Sequence, residues 1–118
     1  QGALAGVLNV CAFVVFFTVL SHLLLRFLPA PLALPLPRAA LLGVLELTSG
    51  VTALPDSRSG FLLCAAMLGW GGGGVHCQTL GALSVSPLTG RYYLRGKAVQ
   101  SALSLLLALP ALPVLFPK

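Results

Sequence analysis

The sequence predicts an all-α membrane protein with about three to four transmembrane helices, and three observations point to this class. Hydrophobic residues make up 58% of the 118 residues and charged residues only 8%, whereas a soluble domain usually carries about 25% charged residues. The mean hydropathy is +1.01. The apolar residues form long runs, and a chain of this length provides about four passages of roughly 20 residues each. We therefore expect one membrane domain, 1–118, in contact with the lipid bilayer.

Composition also argues against several functional classes. The net charge of +5 does not indicate a nucleic-acid partner, because the basic residues are sparse and lie between apolar segments, where membrane topology accounts for them. The three cysteines lie in apolar surroundings without a Cys-x-x-Cys pair, so we expect small buried side chains. No nucleophile and base stand at a recognisable spacing, and His76 with the adjacent Cys77 has no second ligand cluster. We therefore expect no enzyme, no cofactor and no metal site.

The first apolar segment, residues 3–28, is long enough to span a bilayer with some tilt. His22 and Arg26 lie one helical turn apart near its end, and we expect both side chains to extend toward the membrane interface. Four prolines then follow within nine residues. Because proline removes a hydrogen-bond donor and restricts the residue before it, they predict a linker without helix, and they are Pro29, Pro31, Pro35 and Pro37.

The second segment, residues 39–54, is short for a full passage and contains Glu46, the only carboxylate within any apolar segment. An ionisable residue within the membrane is costly, faces the protein interior and is a functional-site candidate by default. The residues directly after it favour a local break, and we assign them with Glu46 to a ligand site: Thr48, Ser49 and Gly50. The alternative is that Glu46 bonds a neighbouring backbone or hydroxyl group and holds the helices together.

The third segment, residues 61–88, contains a run of glycines. As one helix, nearly 30 residues would be about 42 Å long at 1.5 Å per residue, against a hydrocarbon core of about 30 Å. Glycine costs roughly 1 kcal/mol relative to alanine in a helix interior, so the run predicts a break. The segment is then either a broken span or a re-entrant hairpin with its tip at the glycines.

This break supplies the second half of the predicted ligand site. Broken backbone within lipid is tolerated only where protein buries it or a water-filled cavity is lined by it. Free amide groups in a glycine turn suit anionic or polar ligands, and polar side chains follow at once. We therefore assign to the site Gly71, Gly72, Gly73, Gly74, His76 and Gln78.

The fourth segment, residues 98–116, follows a mixture of aromatic and basic residues over 91–97, which predicts an interfacial anchor. Pro110, Pro113 and Pro117 are expected to disrupt the helix near its C-terminal end. If the third segment is a hairpin, the basic cluster over 91–97 lies on the opposite side of the membrane from Arg38, and the charge bias reverses or vanishes. If the third segment crosses fully, Arg38 and Arg91 lie on one side and Arg58 on the other. The basic residues then favour the cytoplasm for the first group, with both chain ends outside.

Two motifs resemble a known family, and they read Leu45-Glu46-Leu47-Thr48-Ser49-Gly50 and Gly71-Gly72-Gly73-Gly74-Val75-His76-Cys77-Gln78. They are similar to the motifs, approximately L-E-x-T-x-G and G-F-G-G-x-x-V-H-x-Q, of the sporulation integral membrane protein family of YlbJ type. That family belongs with the nucleoside recognition (Gate) domain proteins. Tyr93-Leu94-Arg95-Gly96-Lys97 matches the start of the family's last helix, and Cys11-Ala12-Phe13-Val14-Val15-Phe16-Phe17 fits the helix that precedes the motifs. The resemblance thus covers nearly the whole chain. Trp70 takes the place of the family's aromatic residue, and four glycines follow it.

The resemblance implies the C-terminal part of a Gate-like domain, and thus half of a transporter-like inverted-repeat fold. In such folds broken helices and hairpin tips from two halves meet near the membrane midplane. The other half would come from a missing N-terminal half, a homodimer partner or a second membrane subunit. The resemblance also implies a role in endospore formation and a bacterial cell-membrane location, with the membrane around the developing spore as one candidate.

Two functions follow as expectations. The first is a transporter-like site for a small polar solute or an ion, in which Glu46 binds the solute or holds a coupling proton or cation. The second is a non-transporting structural or assembly protein of the spore envelope. In the second case Glu46 and His76 would bond each other or the backbone and leave no room for a ligand.

Overall fold

A computed structural model describes residues 2–117, and within this range the chain is all-helical and contains no strand. Gln1 and Lys118, which end the predicted domain, lie outside the described residues. Short 3₁₀ turns cover Ala30–Ala33 and Leu109–Ala111. The α-helices are α1 (Gly2–Leu25), α2 (Pro35–Leu45), α3 (Leu47–Thr52), α4 (Arg58–Trp70), α5 (Gly72–Leu83), α6 (Gly90–Ala108) and α7 (Leu112–Leu115).

Three helical stretches within residues 2–117 are long and apolar enough to cross a membrane. They are Gly2–Leu25 with 24 residues, and Arg58–Leu83 and Gly90–Leu115 with 26 residues each. At 1.5 Å per residue, each exceeds the roughly 30 Å of hydrocarbon in a bilayer. The predicted class of a multi-pass helical membrane protein is thus supported in its coarse form.

Helices α2 and α3 form a hairpin that turns at Glu46. Gly43 of α2 and Gly50 of α3 pack so closely that a Cβ atom on Gly50 would overlap the Gly43 backbone, and the Met67 side chain fills the space beside both. Two residues seven positions apart on one straight helix would lie about 10 Å apart at 1.5 Å per residue. The chain therefore folds back on itself here and does not form one straight helix.

The helical start of this hairpin corrects the predicted proline linker. Helix α2 begins at Pro35 and includes Pro37, whereas we expected no helix through these prolines. The first amide groups of a helix have no intrahelical partner, so proline loses nothing in the first turn, and its fixed φ suits that position. The non-helical part of the linker is thus shorter than predicted.

Helices α4 and α5 form a broken span and not a hairpin. Helix α6 runs antiparallel to both of them. Later residues of α4 and α5 contact earlier residues of α6. A Cβ atom on Gly69 would lie 2.6 Å from Cα of Ser101, the Tyr93 hydroxyl lies 3.0 Å from Nδ1 of His76, and Leu80 meets Gly90. Of the two topologies left open for this segment, the structure has the broken span, which is long and apolar enough to cross a membrane.

The first arm of the hairpin, α2, runs parallel to this span. Gly43 contacts Met67, and two residues further along α2 the Leu45 carbonyl lies 3.1 Å from a Cβ atom placed on Gly73. Because α3 then returns, Arg38 and Arg58 lie at one end of the bundle, and α6 begins at the other end. This differs from the expected topology, in which Arg38 shared a side with the start of the last helix.

Candidate functional site

The glycine run packs directly against the hairpin turn. Gly71 and Gly72 have φ values of 95° and 84°, in the left-handed region that favours glycine. A Cβ atom on Gly72 would lie 3.0 Å from the backbone nitrogen of Leu47, and one on Gly73 would lie 3.1 Å from Cε1 of Phe17 on α1. Three elements thus meet at the break because these residues have no side chain.

This meeting point lies halfway along a membrane span. Helix α4 has 13 residues before the break and α5 has 12 residues after it. Since each helical residue adds about 1.5 Å, Gly71 lies near the middle of the passage. Glu46, on the hairpin turn beside it, therefore lies level with the middle of this 26-residue apolar stretch.

Glu46 is buried, with 7% of its surface exposed, and its carboxylate caps α3. Oε1 accepts a hydrogen bond from the Thr48 amide at 2.9 Å. Oε2 accepts from the amide and the hydroxyl of Ser49, each at 2.8 Å. A carboxylate at a helix N-terminus satisfies unpaired amides and is stabilised by the helix dipole. These bonds account for the burial of the charge, and an ionised carboxylate with about four lone-pair positions retains acceptor capacity beyond them.

A cleft of about 170 Å³ opens between the hairpin turn, α5 and α1. It brings together half of the ten residues predicted for the ligand site. Apolar side chains of Val10, Val14, Leu47 and Val75 form the rest of its wall. The predicted residues that line it are Glu46, Thr48, Gly71, Gly74 and Gln78.

Four other predicted residues stand behind the cleft wall. Ser49 bonds the carboxylate of Glu46. Gly50 packs on α2, while Gly72 and Gly73 pack on the hairpin turn. These glycines shape the site through close backbone contact, and sequence reasoning had assigned them to the ligand.

His76 faces α6 and not the cleft. Its ring is 7% exposed, its Nδ1 lies 3.0 Å from the Tyr93 hydroxyl, and the Trp70 ring packs edge-on at 4.4 Å between centroids. Its Nε2 atom is buried and has no hydrogen-bond partner among residues 2–117. His76 therefore links α5 to α6 next to the break, and the predicted convergence of His76 with the other ligand residues is not found in the cleft.

Lys97 is a charged neighbour of the site that sequence reasoning missed. Its Nζ atom would lie 3.6 Å from a Cβ atom on Gly71, and it donates to Oε1 of Gln100 at 3.2 Å. The aromatic and basic residues over 91–97 predicted an interfacial position for Lys97. Since α6 begins at Gly90, Lys97 lies about two turns inside the helix, and the aromatic–basic mixture gave no sign of that.

Comparison with known proteins adds no relative. No protein-family model, no curated protein and no solved structure matches this chain. Within the described range, no group of three or more metal-ligating side chains is placed to hold a metal ion. The geometry and chemistry of the site are therefore the evidence for its function.

Proposed function

We propose that the protein is an integral membrane protein of bacterial endospore formation with a transporter-like polar site for a small solute or ion. The observation that supports the site is the cleft at mid-membrane, lined by the Glu46 turn and by Gln78 of α5. Ionisable residues at this depth mark substrate or ion pathways by default. The sporulation role is supported by the motif resemblance alone.

The arrangement of elements favours a transporter-like site. Discontinuous helices that meet a hairpin near the midplane are how many secondary transporters build their binding sites, at the interface between two repeats. Here the hairpin and the broken α4–α5 span would form one of those repeats. The second would be a missing N-terminal half, a second copy of this chain or another membrane subunit, and the cleft would lie against it.

The chemistry of the cleft favours a small polar occupant. Its lining residues include Glu46, Thr48 and Gln78, which carry a carboxylate, a hydroxyl and an amide, among apolar residues. The first turn of α5 has no side-chain cap, and of its glycines Gly74 lines the cleft, where its amide group can act as a donor. Drug-sized ligands occupy pockets of about 300 to 1,000 Å³. A cleft of about 170 Å³ therefore suits a solute of a few heavy atoms.

One observation favours the second candidate, a non-transporting assembly protein of the spore envelope. All recorded hydrogen bonds of the Glu46 carboxylate are made to Thr48 and Ser49. Capping α3 is then a sufficient reason for a carboxylate at this position. In this case the cleft would be filled by packing against a partner, and Glu46 would never touch a solute.

The two candidates differ in what Glu46→Gln does. The protein would be reconstituted in lipid nanodiscs and screened with small polar solutes and monovalent cations by the rise in unfolding temperature that a ligand produces. For the binding site we expect a ligand-dependent rise that Glu46→Gln abolishes and that Asp56→Asn, a change in an exposed loop carboxylate, retains. A spore-forming host with Glu46→Gln should then fail to sporulate. Normal sporulation with inserted protein would support the assembly role.

A further inference from the structure

Lys97 is a second charge at the depth of the break. Its ammonium lies beside Gly71, which is halfway along the α4–α5 span. Lysines near helix ends usually extend toward the closer interface. Here the ammonium instead donates to Gln100, one turn further into α6. The ammonium therefore lies beside the break and not toward the start of α6.

This charge has a neutral partner only. Gln100 Oε1 is the one hydrogen-bond acceptor recorded for the Lys97 ammonium within residues 2–117. The chain has two acidic residues in all. The Glu46 carboxylate bonds the start of α3, and Asp56 lies in the loop before α4. Two opposite charges thus lie next to the break, one on α6 and one on the hairpin turn, and each forms its hydrogen bonds with neutral groups.

We propose that the site takes a small zwitterion, whose anionic group lies between Lys97 and the start of α5 and whose cationic group lies at Glu46. This rests on the proposed binding function and names its solute class. Glu46 and Thr48 line one wall of the cleft, while Gly71 lines it next to the Lys97 ammonium. A solute with opposite charges at its two ends matches this order of groups.

Charge balance selects the zwitterion over the other small solutes. Glu46 and Lys97 together carry no net charge, so a zwitterion leaves the mid-membrane site neutral. A simple anion or cation would add one net charge in a low-dielectric region, where unpaired charges are very unfavourable. A neutral solute would leave both ionic groups with neutral partners. The dipole of α5, whose first turn has no side-chain cap, also favours an anionic group at that end.

The test uses four probes that share one carbon skeleton and one number of heavy atoms: alanine, lactate, alaninamide and lactamide. At neutral pH they are respectively a zwitterion, an anion, a cation and an uncharged solute. Binding to the full chain in nanodiscs would be measured by equilibrium dialysis with labelled probes. We expect alanine to bind at least about tenfold more tightly than each of the others, which corresponds to about 1.4 kcal/mol.

Variants of Lys97 assign this preference to the ammonium. Lys97→Gln should reduce alanine binding to the level of lactamide, while Lys97→Arg keeps the charge and should retain most of the preference. Arg95→Gln, two residues away on the exposed surface of α6, is the control and should bind alanine as the unchanged protein does. If Lys97→Gln fails to fold, the four-probe comparison on the unchanged chain still decides the question.

Each outcome has one meaning. Equal binding of lactamide and alanine, or unchanged alanine binding in Lys97→Gln, would overturn the zwitterion and leave the solute site standing. Failure of all four probes, with no ligand found among other small polar solutes, would overturn the proposed function as well. Preference for alaninamide or lactate would show that the site tolerates net charge, and the balance of Glu46 against Lys97 would not be its basis.

Discussion

The α-carbon of Gly72 and the backbone nitrogen of Leu47 are in such close contact that a Cβ atom on Gly72 would lie 3.0 Å from that nitrogen. This contact joins the start of α5 to the turn of the α2–α3 hairpin. It places the break of a membrane span against the turn that carries Glu46. The cleft that follows from it exists only while these two backbones remain together.

Gly72→Ala should therefore destabilise the fold more than any propensity scale implies. A non-glycine residue in the left-handed region costs roughly 1–2 kcal/mol, and the new methyl group would also press on the hairpin turn. The unfolding temperature in detergent should fall. Gly81→Ala, in the same helix but with nothing within 4 Å of its added Cβ, is the matched control. Alanine there should be neutral or stabilising by up to about 1 kcal/mol, and equal effects of both changes would contradict the packing role.

Glu46→Ala should destabilise α3 by about 0.5–2 kcal/mol, the range for loss of an N-cap. Glu46→Gln keeps an acceptor oxygen and should lose less. The measurement is hydrogen exchange at the Thr48 and Ser49 amides, which should become faster in Glu46→Ala. Unchanged exchange at both amides would show that the cap contributes nothing to α3. This readout concerns the fold alone and is independent of any solute.

Tyr93→Phe should loosen the contact between α5 and α6. Interhelical hydrogen bonds in membranes contribute about 0.6 kcal/mol on average. A buried polar group left without a partner costs about 1–3 kcal/mol, and this second effect should dominate, because both ring nitrogens of His76 would then lack partners. Thermal unfolding measures the loss. Tyr92→Phe, whose side chain is exposed, should leave stability unchanged, and a similar loss in both variants would contradict the His76–Tyr93 bond.

The sequence was sufficient for the helical class and for the positions of the long spans. Hydropathy and length determine these features, and α1 and the α4–α5 span follow them. The hairpin was not predictable in the same way. Residues 39–54 are compatible with a short crossing and with a return, and the contact that decides between them joins Gly43 to Gly50. Gly50 was predicted to favour a break, but nothing in the sequence pairs it with Gly43.

The candidate site was predicted in part for a similar reason. A carboxylate within an apolar segment is recognisable from the sequence alone, so Glu46 could be predicted. The glycine run correctly indicated a break. The sequence does not show which residues pack against the glycines. Gly72 and Gly73 were therefore predicted to bind the ligand, whereas in the structure they pack on the backbone of the hairpin turn. The depth of Lys97 depends on where α6 begins and on the direction of its side chain, and both are set by tertiary contacts.

The most direct test of this architecture is the side of the membrane from which three single cysteines react with an impermeant thiol reagent. They would be introduced as Arg38→Cys, Ser59→Cys and Arg91→Cys in a chain whose three native cysteines have been replaced by alanine. We expect the first two to react from one side and the third from the other, with permeabilised membranes as the control. Reaction of Arg38→Cys and Ser59→Cys from opposite sides would mean that residues 39–54 cross the membrane. Glu46 would then not lie on a re-entrant turn, and the site would lose its basis.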